Sequence, residues 1–319
     1  MNSQKKLVVS HAPFWHDGSG VPERNYNMII AALPAMAMGL VNFGAPALGV
    51  ICLAISSAIG WELLFNRLTK QPYTAGNGQA ALIGLLLAML LPANVPWWLV
   101  LTGTFIAIII GLHIFGGIGS NPFHPVALSF AILMVSWKDF LDFNEALVNF
   151  KFAFTATDPL AALKHFGPEA IQNLSPMDLF LGNQVGGLGA TCGLALVIGG
   201  LYLIMRGYVR WEISFSFLAG LFVTATLFNI YDPLTYADPI FHLLTGYTLI
   251  GAFFLAPEDS SSPVNFVPML IYGAIAGVMT VLIRNIGVHI DGVIFAILLA
   301  NLVNPLIDKI RPKAIGKVV

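Results

Sequence analysis

Thr191 stands in GGLGATCGLALVIGG, residues 186–200, where a polar glycine-rich loop runs into an apolar stretch. A hydroxyl at that point sits among backbone N–H groups left unpaired at a helix start, at the positive end of the helix dipole, and such a place seats a phosphate. Gly187, Gly189 and Ala190 allow close backbone approach to that seat. The same threonine also reads as an ordinary N-cap, and the small residues as helix-packing contacts.

Ionisable groups come next. Glu62, Glu212, Asp291 and Asp308 lie inside or at the ends of apolar runs, where a charge is costly and therefore marks function. Glu212 and Asp308 stand beside Arg210 and Lys309, which predicts interfacial ion pairs. Glu62 and Asp291 have no such neighbour and are the candidates for ion coupling, Asp291 first. His124 and His289 suit structural hydrogen bonding or proton handling. Cys52 and Cys192 both lie in apolar surroundings, which predicts buried thiols. Two cysteines are too few for a self-contained zinc or iron–sulfur ligand set, so no metal site is expected, although a cluster shared with another subunit stays open.

The elements that must position these groups are membrane helices. Of 319 residues, 57% are hydrophobic and only 10% charged, and the mean hydropathy is +0.81, a composition outside the soluble globular range. A net charge of −1 and scattered basic residues give no nucleic-acid footprint. The N-terminal residues break at His11 and Asp17 before any cleavable apolar core, so no removable signal peptide is expected. Apolar runs predict ten segments, near 28–44, 46–66, 79–92, 96–115, 125–137, 190–206, 211–229, 240–256, 266–284 and 290–306. With the N-terminus inside, eleven basic residues fall inside (Lys5, Lys6, Arg24, Arg67, Lys70, Arg206, Arg210, Lys309, Arg311, Lys313, Lys317) and four outside (Lys138, Lys151, Lys164, Arg284). That asymmetry follows the positive-inside rule and places both termini in the cytoplasm and Thr191 at the outer face.

The chain also repeats itself. Phe130-Ala131-Ile132-Leu133 recurs as Phe295-Ala296-Ile297-Leu298, and His124/His289 and Pro92/Pro257 share the same offset of 165. Five segments per copy is an odd number, so the second copy must enter the membrane upside down. The expected fold is an all-α polytopic membrane protein of two inverted five-helix repeats, 28–137 and 186–306. An N-terminal segment 1–27, an outer loop 138–185 and a tail 307–319 complete it. Segments ending at Pro92 and Pro257, and the breaks at 116–125 and 257–263, predict discontinuous helices lining a cavity, or ordinary surface loops, the latter better suited to 257–263. Loop 138–185 reads equally as a folded cap and as a solvated tether.

With these pieces placed, the chain resembles the D subunits of the Rnf ion-translocating electron-transport complexes. More distantly, it resembles the B subunits of the sodium-pumping NADH:quinone reductases. The resemblance runs from about residue 8 to 312. It is carried by GLLLAMLLP (84–92), Trp97-Trp98, FGGIGSNPFHP (115–125), Gly189-Ala190-Thr191, HLLTGYTLIGAFFLA (242–256) and IRNIGVHIDGVIFAILLANLVNPLID (283–308).

The resemblance implies FMN joined to Thr191 through a phosphoester, and a second, non-covalent flavin such as riboflavin. It further implies a place in a prokaryotic inner-membrane complex whose partner subunits handle ferredoxin and NAD⁺, since this chain has no dinucleotide-binding fingerprint. The implied activity is electron relay coupled to outward movement of Na⁺ or H⁺. A non-redox channel or secondary transporter, and a flavin-free structural subunit, are the rival readings of the same scaffold. Two positions depart from the family pattern. Leu188 stands where the family usually has Ser, and Ser129-Phe130 where it typically has Gly-Arg.

Overall fold

The computed structural model describes residues 20–143, 158–172 and 174–310. Lys5, Lys6, His11, Asp17, Lys151, Arg311, Lys313 and Lys317 lie outside these described residues, as do most of the 1–27 segment and the tail after residue 310. The described residues form helices and no strand, as lipid demands of a chain whose backbone must satisfy its own hydrogen bonds.

The first half holds α1 (Val21–Phe43), α2 (Ala45–Thr69), α3 (Gln79–Leu90), α4 (Trp97–Phe105, continuing as a wider π-helix over Ile106–His113) and α5 (Pro125–Ser136). Two short helices follow, α6 (Pro159–Phe166) and α7 (Pro176–Leu181). The second half holds α8 (Gly193–Met205), α9 (Trp211–Tyr231), α10 (Pro239–Leu244), α11 (Thr248–Ile250, widening into π turns over Gly251–Leu255), α12 (Phe266–Asn285) and α13 (Val293–Ile307). Helices α1, α2, α9 and α12 are long and apolar enough to cross a membrane. Shorter apolar helices account for the remaining expected segments, and 240–256 is divided at Thr245–Tyr247 into α10 and α11.

Shifted by 165 residues, α2 falls on α9, α4 on α12 and α5 on α13. Across the junction each outer helix meets its counterpart, α1 against α8 and α5 against α13, the pairing that a two-fold relation between halves requires. Small residues bring backbones together where lipid gives no hydrophobic drive. A Cβ on Gly220 of α9 would lie 2.8 Å from the Ala274 carbonyl of α12, and one on Gly277 of α12 would collide with the Phe217 carbonyl of α9.

Polar contacts gather at two opposite ends. At one end Arg24 pairs with Asp259 (2.7 Å), Tyr208 donates to Glu23 (2.7 Å), Asn25 donates to the Asn77 carbonyl (2.9 Å) and Asn121 donates to Glu258 (2.9 Å). Loop 257–263 is therefore more than a surface connection: Ser261 and Ser262 are buried in it, and Asn304 donates to the Ser261 carbonyl. At the other end lie Lys138, Lys164 and Arg284 with the Thr191 loop. There Lys164 Nζ of α6 donates to the carbonyls of Arg284, Gly287 and His289 (3.2, 2.6 and 2.5 Å). The described part of loop 138–185 is thus a folded cap. Its two helices begin in the same way, with Asp158 and Ser175 as N-caps ahead of Pro159 and Pro176.

Among the described residues two ion pairs form, Arg24–Asp259 and Arg284–Asp291. The pairs expected of Glu212 with Arg210 and Asp308 with Lys309 do not, because side chains one or two positions apart at a helix end point in different directions. Cys192 is buried as expected, but Cys52 is exposed on the outer face of α2; an apolar sequence context does not distinguish lipid from protein as the surrounding medium.

Candidate cofactor cavity

Helix α3 ends at Leu90 inside the protein, and its last carbonyls have no partner within the helix. Residues 188–189 supply donors: Leu188 N–H to the Leu91 carbonyl and Gly189 N–H to the Met89 carbonyl, both at 3.0 Å. Tyr247 Oη donates to the remaining Leu90 carbonyl at 2.9 Å. A Cβ on Gly187 would lie 2.7 Å from the Met89 carbonyl oxygen and 2.8 Å from that of Leu90, so only glycine lets the loop lie this close to α3. Gln184 fixes the loop from the other side, its Nε2 donating to the carbonyls of Leu179 (3.1 Å), Thr191 (2.9 Å) and Leu244 (3.0 Å).

Thr191 emerges from this loop two residues before α8, with Cys192 as the N-cap and no side-chain cap on the helix. Its side chain is buried, and Oγ1 has no hydrogen-bond partner. The residue lines a cavity with about 830 Å³ of open space, its mouth included. Gly186, Gly187, Ala190 and Thr191 line one side, and Tyr247 and Asp291 another. Phe130 and Phe143 add aromatic wall; Phe130 meets Tyr247 edge to face at 5.4 Å, and Phe143 lies 6.4 Å from the same ring. Leu141, Asp158 and Leu160 close the cavity from the cap, and Lys138 and His289 complete the lining.

Asp291 is held by several donors. Oδ1 receives Arg284 Nη2 (3.0 Å), Arg284 Nε (3.2 Å) and Val293 N–H (3.1 Å), and Oδ2 receives Tyr247 N–H (2.6 Å). Arg284 also serves the break between α10 and α11, donating to the His242 carbonyl (2.8 Å), the Thr245 carbonyl (3.2 Å) and Thr248 Oγ1 (2.8 Å). Gly246 turns this break with a φ of 65°, and a Cβ there would strike Asp291. The guanidinium thus replaces the helix bonds that the break removes, and the pair is tolerated in a dry site because its other hydrogen-bonding capacity is met.

The electrostatics of the capped end follow from burial and neighbouring charge. Burial, with the negative charges of Asp291 and Asp142 adding to it, pushes the Asp158 carboxyl up to about 7. Burial first, then Lys138, lowers Lys164; burial, then Lys138 and Lys164, lowers His289.

The cavity therefore gathers Thr191, Gly187, Ala190, Asp291 and His289 of the residues singled out in the sequence. Gly189 is turned toward Met89 and is not part of the lining; Leu188 is packed into the core, 1% exposed. Its larger side chain therefore occupies packed space instead of the cavity. Phe130, the second departure, is in the cavity wall. Glu62 lies elsewhere, buried in α2 with Oε1 accepting from Thr74 (2.5 Å) and Oε2 without a partner. His124 caps α5 at the opposite end, its Nδ1 accepting from the backbone N–H groups of Val126 (3.2 Å) and Ala127 (3.3 Å). Of three further site residues, Gln184 and Asp158 lie outside every motif named above, and Arg284 lies within the 283–308 stretch without a role marked for it there. The one signal for Arg284 is a cation seven residues before a membrane carboxylate.

The profile of the NQR2, RnfD, RnfE family matches residues 8–316. The chain is 35% identical over 310 residues to the D subunit of the proton-translocating ferredoxin:NAD(+) oxidoreductase complex of Clostridium ljungdahlii, covering 95% of this chain and 94% of that one. It is also 35% identical over 315 residues to the D subunit of the Na(+)-translocating ferredoxin:NAD(+) oxidoreductase complex of Acetobacterium woodii, covering 98% and 96%. Against the D subunit of the ion-translocating oxidoreductase complex of Cronobacter sakazakii the identity is 33% over 347 residues, covering 97% and 98%. Matched along nearly its whole length, the chain belongs to the NQR2, RnfD, RnfE family.

Proposed function

We propose that the chain is the D subunit of an Rnf-type, ion-translocating ferredoxin:NAD⁺ oxidoreductase and passes electrons through FMN joined by a phosphoester to Thr191. One observation carries the reading: Thr191 Oγ1 is buried without a hydrogen-bond partner, and Thr191 lines a cavity walled by Phe130, Phe143 and Tyr247. A buried hydroxyl left unpaired is costly unless something else occupies its valence, and aromatic walls suit a planar ring system. When bound, the flavin supplies one-electron redox chemistry.

The chain's own residues position that group. Thr191 bears the phosphate, and Gln184 fixes the Thr191 carbonyl. Gly187 keeps the loop against α3, and the cap contributes Asp158 and Leu160 to the cavity lining. The Arg284–Asp291 pair keeps the broken helix in place beside the cavity. Ferredoxin and NAD⁺ are met by other subunits of the complex. The chain lies in the cytoplasmic membrane with both termini inside, an orientation supported by the segregation of Arg24, Arg206 and Arg210 from Lys138, Lys164 and Arg284.

Two relatives of equal identity carry names with different ions, H⁺ and Na⁺, so overall similarity does not select the ion. Asp291 and Glu62 are the coupling candidates, and they stand at different places in the fold. The reading predicts an in-gel fluorescent band at this chain's size after SDS denaturation, lost in Thr191→Ala. A non-fluorescent chain from a flavin-attaching host overturns it.

A further inference from the structure

We propose that Asp158 is the group through which the capped cavity exchanges a proton with outside water as an electron enters and leaves; this rests on the flavin reading above. Asp158 is buried at the start of α6, in the cap that separates the Thr191 loop from solvent, and its side chain lines the cavity. The other carboxylate deep in the lining, Asp291, is bound by Arg284 and two backbone N–H groups, so both of its oxygens are already engaged. Asp142 and Lys138, from the segment after α5, also face the cavity, as do Tyr247 from the helix break and His289 from the connector before α13. On α6 itself, Lys164 is turned to three carbonyls of that connector. Burial beside Asp291 and Asp142 lifts the Asp158 carboxyl to about 7, so both of its forms are present near neutral pH.

An electron entering from a one-electron donor of the relay adds one negative charge to the cavity. A hydronium ion of outside water then gives one proton to the Asp158 carboxylate, its O–H bond breaking as the carboxyl O–H bond forms and a water molecule being left. When the electron passes to the one-electron acceptor, the O–H bond breaks and the proton returns to water. No other bond forms or breaks.

The test is a redox titration of the flavin-bearing chain in its complex, followed by flavin absorbance across neutral pH. Asp158→Asn keeps the helix cap, since Asn caps as well as Asp, and removes the titration. The wild-type oxidised-to-reduced ratio at fixed potential should shift with pH by up to tenfold more per unit than that of Asp158→Asn, and Asp158→Glu should restore the dependence. The same pH dependence in wild type and Asp158→Asn overturns the inference while leaving the flavin reading intact; a chain without covalent flavin overturns the flavin reading first. Should Asp158→Asn alone fail to carry flavin, redox-difference infrared spectroscopy of the wild type decides. A protonated-carboxyl band that grows on reduction supports the inference, and its absence overturns it.

Discussion

The hydroxyl of Tyr247 donates to the carbonyl of Leu90 across 2.9 Å, joining the broken helix of the second half to the short helix of the first. Both groups are buried. The bond satisfies a carbonyl left over at a helix end and fixes the tyrosine ring as cavity wall. Tyr247→Phe should keep the wall and lose the bond, at a cost of about 1 kcal/mol. Thermal denaturation in detergent should show a small drop in midpoint, with flavin content unchanged; loss of flavin would contradict a purely bracing role for the hydroxyl.

Gly187→Ala puts a Cβ at 2.7–2.8 Å from two carbonyl oxygens of α3. The loop must lift by several tenths of an ångström, at roughly 1–3 kcal/mol. Covalent flavin per chain, read from in-gel fluorescence, should fall, because the shift is passed to Thr191 through the same loop.

Removing one member of the Arg284–Asp291 pair leaves the other charged and buried. Arg284→Met and Asp291→Asn should each destabilise the chain by about 3–5 kcal/mol, and the double variant by less than the sum. Denaturant titration in detergent checks the cycle; strict additivity would mean that the two do not act as a unit.

Leu188→Ser restores the residue that the family usually carries. Because Leu188 is packed in the core and absent from the cavity lining, the change should cost about 2–5 kcal/mol of stability and leave flavin content as it was. A rise in flavin content would give the departure a functional meaning that its packing does not.

Asp158 holds its proton more tightly in the folded cap, at about 7, than its ordinary value of 3.8. Between those two values the folded state binds more protons than the unfolded one, so the cap loses stability as pH rises from about 4 to about 7, by roughly 4 kcal/mol at most. Hydrogen exchange of α6 amides should quicken across that range, beyond the intrinsic rate, in the wild type and not in Asp158→Asn.

The helices are legible in the sequence because apolar runs cut by Pro and Gly leave few alternatives, and the offset shared by Phe130 and Phe295 reveals the doubling of the chain. Thr191 and Asp291 stand out because each is a polar group at the edge of an apolar run. What the sequence hides are relations made by folding. Arg284 looks like one of four outside cations until the carbonyls of His242 and Thr245 are brought to it from another helix. Glu212 and Asp308 have cationic neighbours along the chain, but proximity in sequence is not proximity in space. Asp158 lies in the long connection between the two halves, and nothing there signals that it is buried against the cavity.

Lys164 spends all three ammonium protons on the carbonyls of Arg284, Gly287 and His289. An amine engaged in this way reacts slowly with acylating reagents, and it reacts as a free one when these bonds open. Its labelling rate is therefore a clock for that opening, readable by mass spectrometry on the whole complex.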